Sequence, residues 1–340
     1  MFDGFLRVAA ATPDIRVADC NFNGASAAAL VSEAYEQGVS LLVLPELCLT
    51  GYTCSDLFLQ ESLLDGAGKA LLTLTEATRD KNMVVLAGLP LTVNGVLYNA
   101  AAVLHDGDIL GFVPKSYLPT YSEFYEGRHY HSGADIETDV LFNGRTYPFG
   151  TRLLFRCRQM PAFTLGIEIC EDLWVAQPPS ISHALAGATV IANLSASDET
   201  TGKDIYRRSL VSGQSARLVC GYIYADAGEG ESSTDLVFGA HNLICENGSI
   251  LAESERFSNQ MIMADMDMSK LISERRRMTT WQPKFDNGYR VIDFDLEMHE
   301  VDLRRFIDPH PFVPDDAMDR TRRCEEILTI QAMGLKKRLA

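Results

Sequence analysis

The chain has 340 residues, of which 46% are hydrophobic and 22% charged, a composition typical of a globular protein. Its formal net charge of −16 at pH 7 argues against nucleic acid or an anionic membrane surface as a partner. No apolar run reaches the ~20 residues that a membrane-spanning helix needs, and residues 1–14 lack the pattern of a signal peptide. We therefore expect the protein in the cytoplasm.

The eight cysteines form no Cys-x-x-Cys pair and no dense framework. Cysteines of a protein without an export signal are expected to stay reduced. The sequence therefore predicts neither a disulfide scaffold nor a metal site.

Short apolar runs alternate with helical patterns along most of the chain. Residues 5–13 predict a strand, residues 24–38 a helix that stops at Gly38, and residues 40–46 a strand that is apolar on both faces. A second helix is predicted around residues 62–80. Further strands are predicted within residues 83–91, 97–115, 163–170, 188–196, 219–227, 238–254 and 260–268.

Two short turns predict β-hairpins. HDGD at residues 105–108 and ENGS at residues 246–249 place Asp-Gly and Asn-Gly between apolar runs. Hairpins next to strand–helix alternation predict an α/β fold with mixed sheets. Because the strand content is high, we expect a four-layer αββα sandwich of two mixed sheets, with the helices outside.

The pattern changes near residue 275. Residues 276–314 have less regular periodicity and more charge and proline, which favours an extended connector. Residues 315–340 then predict an amphipathic helix with acidic residues early and basic residues late, as the helix dipole prefers. We predict one domain over residues 1–275, followed by a connector and helix over residues 276–340 that lead to a further domain.

Three apolar runs end on a functional side chain. Glu46 follows LLVLP, Lys115 follows ILGFVP, and Cys170 follows TLGIEI. Sites in α/β sheets form where strands deliver residues at their carboxyl ends. A cysteine nucleophile, a glutamate base and a lysine cation brought together there would form an acyl-transfer site. Taken singly, each residue is also compatible with a structural thiol or an ordinary loop charge.

The surroundings of Cys170 pose a difficulty, because Glu168, Glu171 and Asp172 lie beside it and negative charge raises the pKa of a thiol. Lys115 would offset this charge. A helix beginning at residues 171–174 would add its positive dipole end, and the backbone N–H of Glu171 is a candidate donor to an oxyanion.

Three segments resemble the signature motifs of the nitrilase (carbon–nitrogen hydrolase) superfamily. They are LPELCLTGY at residues 44–52, PKSYLPTYSEFYEGRHY at residues 114–130 and GIEICEDLW at residues 166–174. Their order and spacing match over roughly residues 5–270. The resemblance implies a nitrilase-like fold, a triad of Glu46, Lys115 and Cys170, and a supporting glutamate at Glu126.

A narrower resemblance is to the glutaminase portion of the glutamine-dependent NAD(+) synthetase family. It rests on ICEDLW, NLSASDETTGK, ERRRMTT and the C-terminal RRCEEILTIQAMGLKKRL. It implies L-glutamine as substrate, with contacts from Tyr121, Ser197 and Lys203 and a pocket lined by Glu171 and Trp174. It also implies that ammonia passes to a C-terminal synthetase domain of a longer chain, where it amidates deamido-NAD.

That synthetase domain would use ATP and Mg²⁺, so the resemblance implies no cofactor and no metal in the present domain. The SGGxDS loop with which the family's synthetase domain opens does not occur in this sequence. Nitrilase-like domains commonly associate across a two-fold axis, so a homo-oligomer is expected.

Three rival interpretations remain open at this stage. One is a stand-alone amidase that acts on another small amide or nitrile. Another is an inactive assembly module, which the presence of all three triad residues disfavours. The third is a cysteine protease, which needs a histidine partner that none of the seven histidines supplies in a comparable segment.

Overall fold

The computed structural model describes residues 4–231, 234–284, 288–310, 312–313 and 316–339. The chain divides into two compact units, Met1–Leu303 and Arg304–Ala340. No helix in these described ranges is both long and apolar enough to span a bilayer.

The first unit is built from two sheets and five helices, and the second contains one helix, as far as the described residues go. The strands, in chain order, are β1 (Phe5–Ala11), β2 (Leu41–Val43), β3 (Val84–Val93), β4 (Val96–His105), β5 (Asp108–Pro114), β6 (Glu137–Phe142), β7 (Arg145–Gly150), β8 (Leu153–Cys157), β9 (Thr164–Ile169), β10 (Val190–Ser195), β11 (Gly221–Asp226), β12 (Leu243–Glu246), β13 (Ser249–Glu253), β14 (Met261–Asp267) and β15 (Arg290–Phe294). The helices are α1 (Cys20–Glu36), α2 (Glu61–Ala77), α3 (Pro179–Ala186), α4 (Lys203–Leu218), α5 (Met268–Arg277) and α6 (Ala317–Leu339).

Both sheets are mixed, as predicted. The first has the order β14-β1-β2-β3-β4-β5-β7-β6, and the second has the order β13-β12-β11-β10-β9-β8-β15. Parallel pairs such as β1–β2 and β9–β10 adjoin antiparallel pairs such as β3–β4 and β11–β12.

The alternation of side chains along each strand produces the layers. In β1, Val8 and Ala10 belong to the core between the two sheets, whereas Ala9 belongs to the core that the first sheet forms with α1 and α2. In β10, Val190 faces the same inner core, and Ile191 faces the core under α3 and α4. Three apolar cores therefore separate four layers, which confirms the predicted αββα sandwich.

The local patterns are confirmed with small shifts. Helix α1 begins four residues earlier than residue 24, because the Asp19 carboxylate accepts the Phe22 N–H at 3.1 Å and caps the helix there. Both predicted hairpins form, and Asp106 and Asn247 have the positive φ values, 45° each, that such tight turns require. Two further hairpins turn at Asn-Gly pairs, residues 94–95 and 143–144, that carried the same signal.

The region after residue 275 contributes more than a connector. Strand β15 pairs in parallel with β8, from Arg290 opposite Leu153 to Phe294 opposite Cys157, so the compact unit runs on to Leu303. The ring of Phe294 packs on that of Phe163 at 5.7 Å. Residues 285–287, 311 and 314 of the predicted connector, and residues 315 and 340 of the predicted helix, lie outside the described residues. The predicted C-terminal helix is confirmed as α6, and the domain boundary at residue 275 stays a prediction.

A glycine in β3 allows the chain to pass closely behind the end of β2. A Cβ atom on Gly88 would lie 2.2 Å from the backbone nitrogen of Leu47 and 2.7 Å from the Cα of Glu46. Only glycine fits there without moving the backbone that carries Glu46.

We expect Gly88→Ala to lower the free energy of unfolding by about 3 kcal/mol, because the added methyl group overlaps backbone atoms that cannot rotate away. Gly213→Ala is the matched control, since Gly213 lies exposed in α4 with no atom within 4 Å of the added methyl group. It should stabilise the protein by up to about 1 kcal/mol through helix propensity. Urea denaturation measures both, and equal stabilities would contradict the close packing.

Candidate active site

Lys115, which follows β5, lies buried between the carboxylates of Glu46 and Glu126. The Nζ atom of Lys115 donates to Glu46 Oε1 and to Glu126 Oε1, each at 2.6 Å, and the side chains of Lys115 and Glu46 have no exposed surface. Tyr52 donates its hydroxyl to Glu126 Oε1 at 2.8 Å. The structure thus brings together three of the four predicted catalytic residues by direct contact.

The carboxylate of Glu46 is held by both sheets. Its Oε1 also accepts from Asn99 Nδ2 at 2.6 Å, a side chain of β4 in the first sheet. Its Oε2 accepts the backbone N–H of Ala196 at 2.9 Å, just after β10 in the second sheet. These bonds leave Glu46 a single orientation.

The charges of this cluster set its protonation. Burial, helped by the charge of Glu46 and opposed by Lys115, raises the pKa of Glu126 to about 7. Burial by itself lowers the pKa of Lys115, but the charges of Glu126 and Glu46 raise it well above its ordinary value. Lys115 is therefore a permanent cation.

Cys170 follows β9 and shares this buried site. Burial and the charge of Glu46 raise the pKa of its thiol well above the ordinary value, Lys115 lowers it, and Glu126 raises it. The backbone N–H of Ala196 also lowers this pKa, which places that N–H beside both Cys170 and Glu46. At neutral pH the thiol is thus protonated, and a nucleophilic role requires a base to remove its proton.

The backbone of Cys170 has a left-handed conformation with φ of 44°. Such a conformation costs about 1–3 kcal/mol for a residue other than glycine and persists where the surroundings impose it. The N–H of Cys170 donates to Asn193 Oδ1 at 3.0 Å. This N–H is therefore engaged and is not available to an oxyanion.

The prediction of a helix that begins at residues 171–174 is wrong. Cys170–Leu173 forms a single 3₁₀ turn, too short for the aligned peptide dipoles of several turns. The Asp172 side chain does not continue a helix but turns back to accept the N–H groups of Ile169 at 3.0 Å and Tyr117 at 2.9 Å. Lys115, rather than a helix dipole, offsets the negative charge around the thiol.

Asp172 connects the two strand ends that carry Lys115 and Cys170. Besides Ile169 and Tyr117, it accepts the N–H of Ser116 at 3.1 Å, so one carboxylate binds backbone on both sheets. Burial raises its pKa to about 7, and the hydrogen bond from Ile169 opposes that rise.

The predicted substrate contacts form a second cluster next to the first. Tyr121 donates its hydroxyl to Glu171 Oε1 at 2.9 Å. The ammonium of Lys203 forms an ion pair with Asp198 and lies 5.3 Å from the ring centroid of Trp174. Carboxylate, ammonium and aromatic groups therefore occur together here, as a zwitterionic ligand would require.

Ser197 is buried rather than open. Its Oγ accepts from Arg207 Nη2 at 3.3 Å, and its N–H donates to Asp226 Oδ1 at 2.9 Å. Arg207, in α4, has no exposed surface and also pairs with Glu199 at 2.9 Å. A contact between Ser197 and a substrate remains a prediction, as do the roles of the other substrate-binding residues.

A cavity of about 430 Å³ adjoins the carboxylate cluster and is lined in part by Tyr52, Phe124, Glu126 and Tyr130. In the parts of the chain that the structure describes, no group of three or more His, Cys, Asp or Glu side chains could hold a metal ion.

Sequence reasoning missed four groups that shape the site: Tyr52, Asn99, Asp172 as a connector, and the N–H of Ala196. Tyr52 ends the segment LPELCLTGY, and Asn99 is a polar residue in the apolar run of β4, so both carried a signal. The backbone N–H of Ala196 carried none, because any residue supplies one.

Comparison with known proteins identifies the family of this chain. A model of the carbon-nitrogen hydrolase family matches residues 7–276. The glutamine-dependent NAD(+) synthetase of Mycobacterium tuberculosis is 44% identical over 346 residues, covering 99% of this chain and 51% of its own length. The chain therefore spans about half the length of the curated relatives it matches.

Two solved structures have the same fold. The glutamine-dependent NAD(+) synthetase of Cytophaga hutchinsonii has a TM-score of 0.69 and 31% identity, over 77% of this chain and 43% of that one. An amidase of the nitrilase superfamily from Nesterenkonia has a TM-score of 0.59 and 20% identity, over 80% of this chain and 94% of that one. The chain belongs to the carbon-nitrogen hydrolase family, whose members are enzymes.

Lys115→Met should lower the free energy of unfolding by about 3–5 kcal/mol, because it leaves two buried carboxylates without their shared cation. The double variant Lys115→Met with Glu126→Gln should recover part of that loss, since it also removes one carboxylate. Arg128→Met is the control and should cost far less, because the Arg128 and Asp56 side chains of that ion pair are 62% and 58% exposed. Urea denaturation measures all three, and no recovery in the double variant would contradict the shared-cation description.

Glu46→Gln should move the alkylation of Cys170 to lower pH, because the charge of Glu46 raises the pKa of the thiol. The rate of reaction with iodoacetamide is measured against pH by peptide mapping, with the exposed Cys324 as the internal reference. Glu231→Gln is the control, since the charge of Glu231 raises the pKa of Cys48 and Cys54 but is not among the main influences on the Cys170 thiol. A profile of Cys170 that stays in place in Glu46→Gln would refute the predicted coupling.

Proposed function

We propose that this chain hydrolyses the side-chain amide of L-glutamine through a thioester on Cys170. The observation that carries the proposal is the buried Lys115 ammonium, held at 2.6 Å from both Glu46 and Glu126, in the same site as the thiol. Such an arrangement supplies a base, a cation and a nucleophile to one acyl group.

Glu46 is the general base in this mechanism. The Oε2 atom of Glu46 accepts the Ala196 N–H, which also influences the thiol of Cys170. The charge of Glu46 raises the pKa of Cys170 more than the charge of Glu126 does. Glu46 takes the proton from Cys170 Sγ, and the sulfur attacks the carbonyl carbon of the amide. The carbonyl oxygen becomes an oxyanion.

Lys115 and the backbone N–H of Glu171 stabilise that oxyanion. The N–H of Cys170 is excluded from this role because it donates to Asn193. When the tetrahedral intermediate collapses, the C–N bond breaks, the nitrogen takes the proton from Glu46, and ammonia leaves. A γ-glutamyl thioester remains on Cys170.

Water then completes the cycle. Glu46 takes a proton from the water, the resulting hydroxide attacks the thioester carbon, and the C–S bond breaks. Glutamate leaves, and the thiolate takes back the proton that Glu46 holds. Glu126 keeps Lys115 in place throughout, because the lysine is anchored to it at 2.6 Å while Glu46 changes its charge. Every step uses a group of this chain.

The second cluster suits the other end of the substrate. The carboxylate of Glu171 would bind the α-ammonium of glutamine, and the ammonium of Lys203 would bind its α-carboxylate. Tyr121 orients Glu171, and Trp174 covers Lys203. Ser197 lies next to Asp198, the ion-pair partner of Lys203.

We further propose that the ammonia serves a C-terminal synthetase domain of a longer chain. The curated relatives are named glutamine-dependent NAD(+) synthetases, and this chain matches about half of their length. ATP and Mg²⁺ would then act in that domain, which amidates deamido-NAD, and not in the present one. A cytoplasmic homo-oligomer is the expected form.

An amidase that acts on another small amide is the second candidate. It is favoured by the Nesterenkonia amidase, whose chain aligns over 94% of its length without a further domain. Rates of hydrolysis of glutamine and of propionamide distinguish the two. A cysteine protease is disfavoured, because both ring nitrogens of His183, which packs against β9, are engaged with Tyr289 and Ile167.

An electrophilic glutamine analogue should add to the chain once, at Cys170, and glutamine should suppress the reaction. Intact-mass spectrometry and peptide mapping detect the adduct. Cys170→Ala should lose both the adduct and glutamine hydrolysis, whereas Cys245→Ala, which alters another buried cysteine, should keep both. An adduct at another cysteine, or one that glutamine does not suppress, would refute the assignment.

A further inference from the structure

One buried amide side chain holds the backbone of Cys170 from both sides. Asn193 Oδ1 accepts the N–H of Cys170 at 3.0 Å, and Asn193 Nδ2 donates to the carbonyl oxygen of Cys170 at 3.5 Å. Asn193 lies in β10 and has no exposed surface. The two bonds are independent of the Cys170 side chain, so they act on where the sulfur is placed.

The strand pairing explains why a side chain is needed. Strand β9 pairs with β10 as far as Ile169, which lies opposite Leu194, and the chain then leaves the sheet. At Cys170 the backbone reverses with φ of 44°, so the ladder cannot supply a partner for its N–H. The carboxamide of Asn193 takes the place of the missing strand neighbour, and it stabilises a conformation that is otherwise unfavourable.

The carboxamide is itself fixed by its neighbours. Its Oδ1 accepts a second hydrogen bond from Ser195 Oγ at 2.9 Å, and its Nδ2 donates to the hydroxyl of Tyr222 at 3.2 Å. Tyr222 donates in turn to Glu168 Oε1. Because Oδ1 faces two donors and Nδ2 faces acceptors, the amide has one satisfactory orientation.

The chain of hydrogen bonds continues to the outer helical layer. Glu168 Oε2 accepts the backbone N–H of Ser180 at 2.8 Å, in the first turn of α3. Glu168 and Tyr222 are buried, and an incomplete polar network would be costly in such surroundings. The series Ser180, Glu168, Tyr222 and Asn193 therefore connects a helix on the outer face of the second sheet to the turn that carries Cys170.

We propose that Asn193 is a positioning residue for Cys170, and that Tyr222 and Glu168 hold its carboxamide in the orientation that this requires. The inference rests on the proposed role of Cys170 as nucleophile. Asn193 does not touch the reacting atoms. It acts by keeping the Cys170 sulfur within the site that contains Glu46 and Lys115, where a displacement of about 1 Å can cost about 100-fold in rate.

Asn23 provides a matched control because it makes the same kind of double contact elsewhere. Its Oδ1 accepts the N–H of Arg16 at 2.7 Å, and its Nδ2 donates to the carbonyl oxygen of Arg16 at 3.0 Å. Asn23 also has no exposed surface. Asn193→Ala and Asn23→Ala therefore remove similar bonds, but only the first removes them from Cys170.

The test measures the inactivation of the 340-residue chain by an electrophilic glutamine analogue, separated into a maximal rate and a half-saturating concentration. Asn193→Ala should lower the maximal rate by roughly 30- to 100-fold and change the half-saturating concentration by less than about threefold. Asn23→Ala should leave both values within about threefold of the unmodified chain. Both variants should lower the melting temperature, so stability alone would not distinguish them.

Tyr222→Phe keeps the size of the ring, and it provides a second test in case Asn193→Ala does not fold. It should lower the maximal rate by about tenfold, since it frees the amide to rotate without removing it. Unchanged maximal rates in Asn193→Ala and Tyr222→Phe, or equal losses in Asn193→Ala and Asn23→Ala, would overturn the inference. Failure of the unmodified chain to react with the analogue at Cys170 would instead refute the proposed function.

If the unmodified chain does not react with the analogue, iodoacetamide is used in its place, because this reagent needs no glutamine pocket. The rate of alkylation of Cys170 is then measured. A changed Cys170 reactivity in Asn193→Ala but not in Asn23→Ala would still support the positioning role. Equal reactivity in the two variants would refute it.

Discussion

The Lys115 ammonium, buried between the carboxylates of Glu46 and Glu126, requires the two sheets to pack in one particular way. A cation without exposed surface is stable only when its hydrogen bonds and counter-charges are supplied in place. Here the segments that follow β2 and β5 must meet to bring Glu46 and Lys115 to 2.6 Å, and Glu126 must close the cluster from a 3₁₀ turn. The bond from Ala196 to Glu46 then ties the second sheet to the first. The contacts that join the two sheets are therefore also the contacts that hold the site residues in place.

The same cluster separates the protonation states of its members. Lys115 stays charged, burial raises the pKa of Glu126 to about 7, and the thiol of Cys170 stays neutral because burial and the nearby carboxylates raise its pKa. Different environments thus give neighbouring groups different roles. In the proposed mechanism, the thiolate forms only when Glu46 accepts the proton, which couples activation of the nucleophile to its attack on substrate.

Two residues with an unfavourable backbone conformation lie where the two sheets deliver these groups. Leu47, in the segment after β2, and Cys170, directly after β9, have positive φ values of 50° and 44°. Each is held by its surroundings: Gly88 leaves room behind Leu47, and Asn193 binds the backbone of Cys170 on both sides. Asp172 adds bonds to the backbone of both strand ends. Strain at such positions persists because the neighbouring layers allow no alternative.

Local patterns along the chain were enough to predict most of the strands and helices and the kind of chemistry at the site. Apolar runs, Asp-Gly and Asn-Gly turns and the helical stretches predicted the two mixed sheets, and Glu46, Lys115 and Cys170 were recognisable because each interrupts an apolar run at its end. Which distant groups contact these three residues follows from the folded arrangement and could not be predicted. Asn99, the N–H of Ala196 and the carboxamide of Asn193 come from other strands, and β15 joins the second sheet from beyond residue 275. The turn after Cys170 failed to become a helix because Asp172 binds backbone N–H groups 55 and 56 residues away. Pairings over such separations leave no periodicity in the chain, so they follow from the packing of the layers alone.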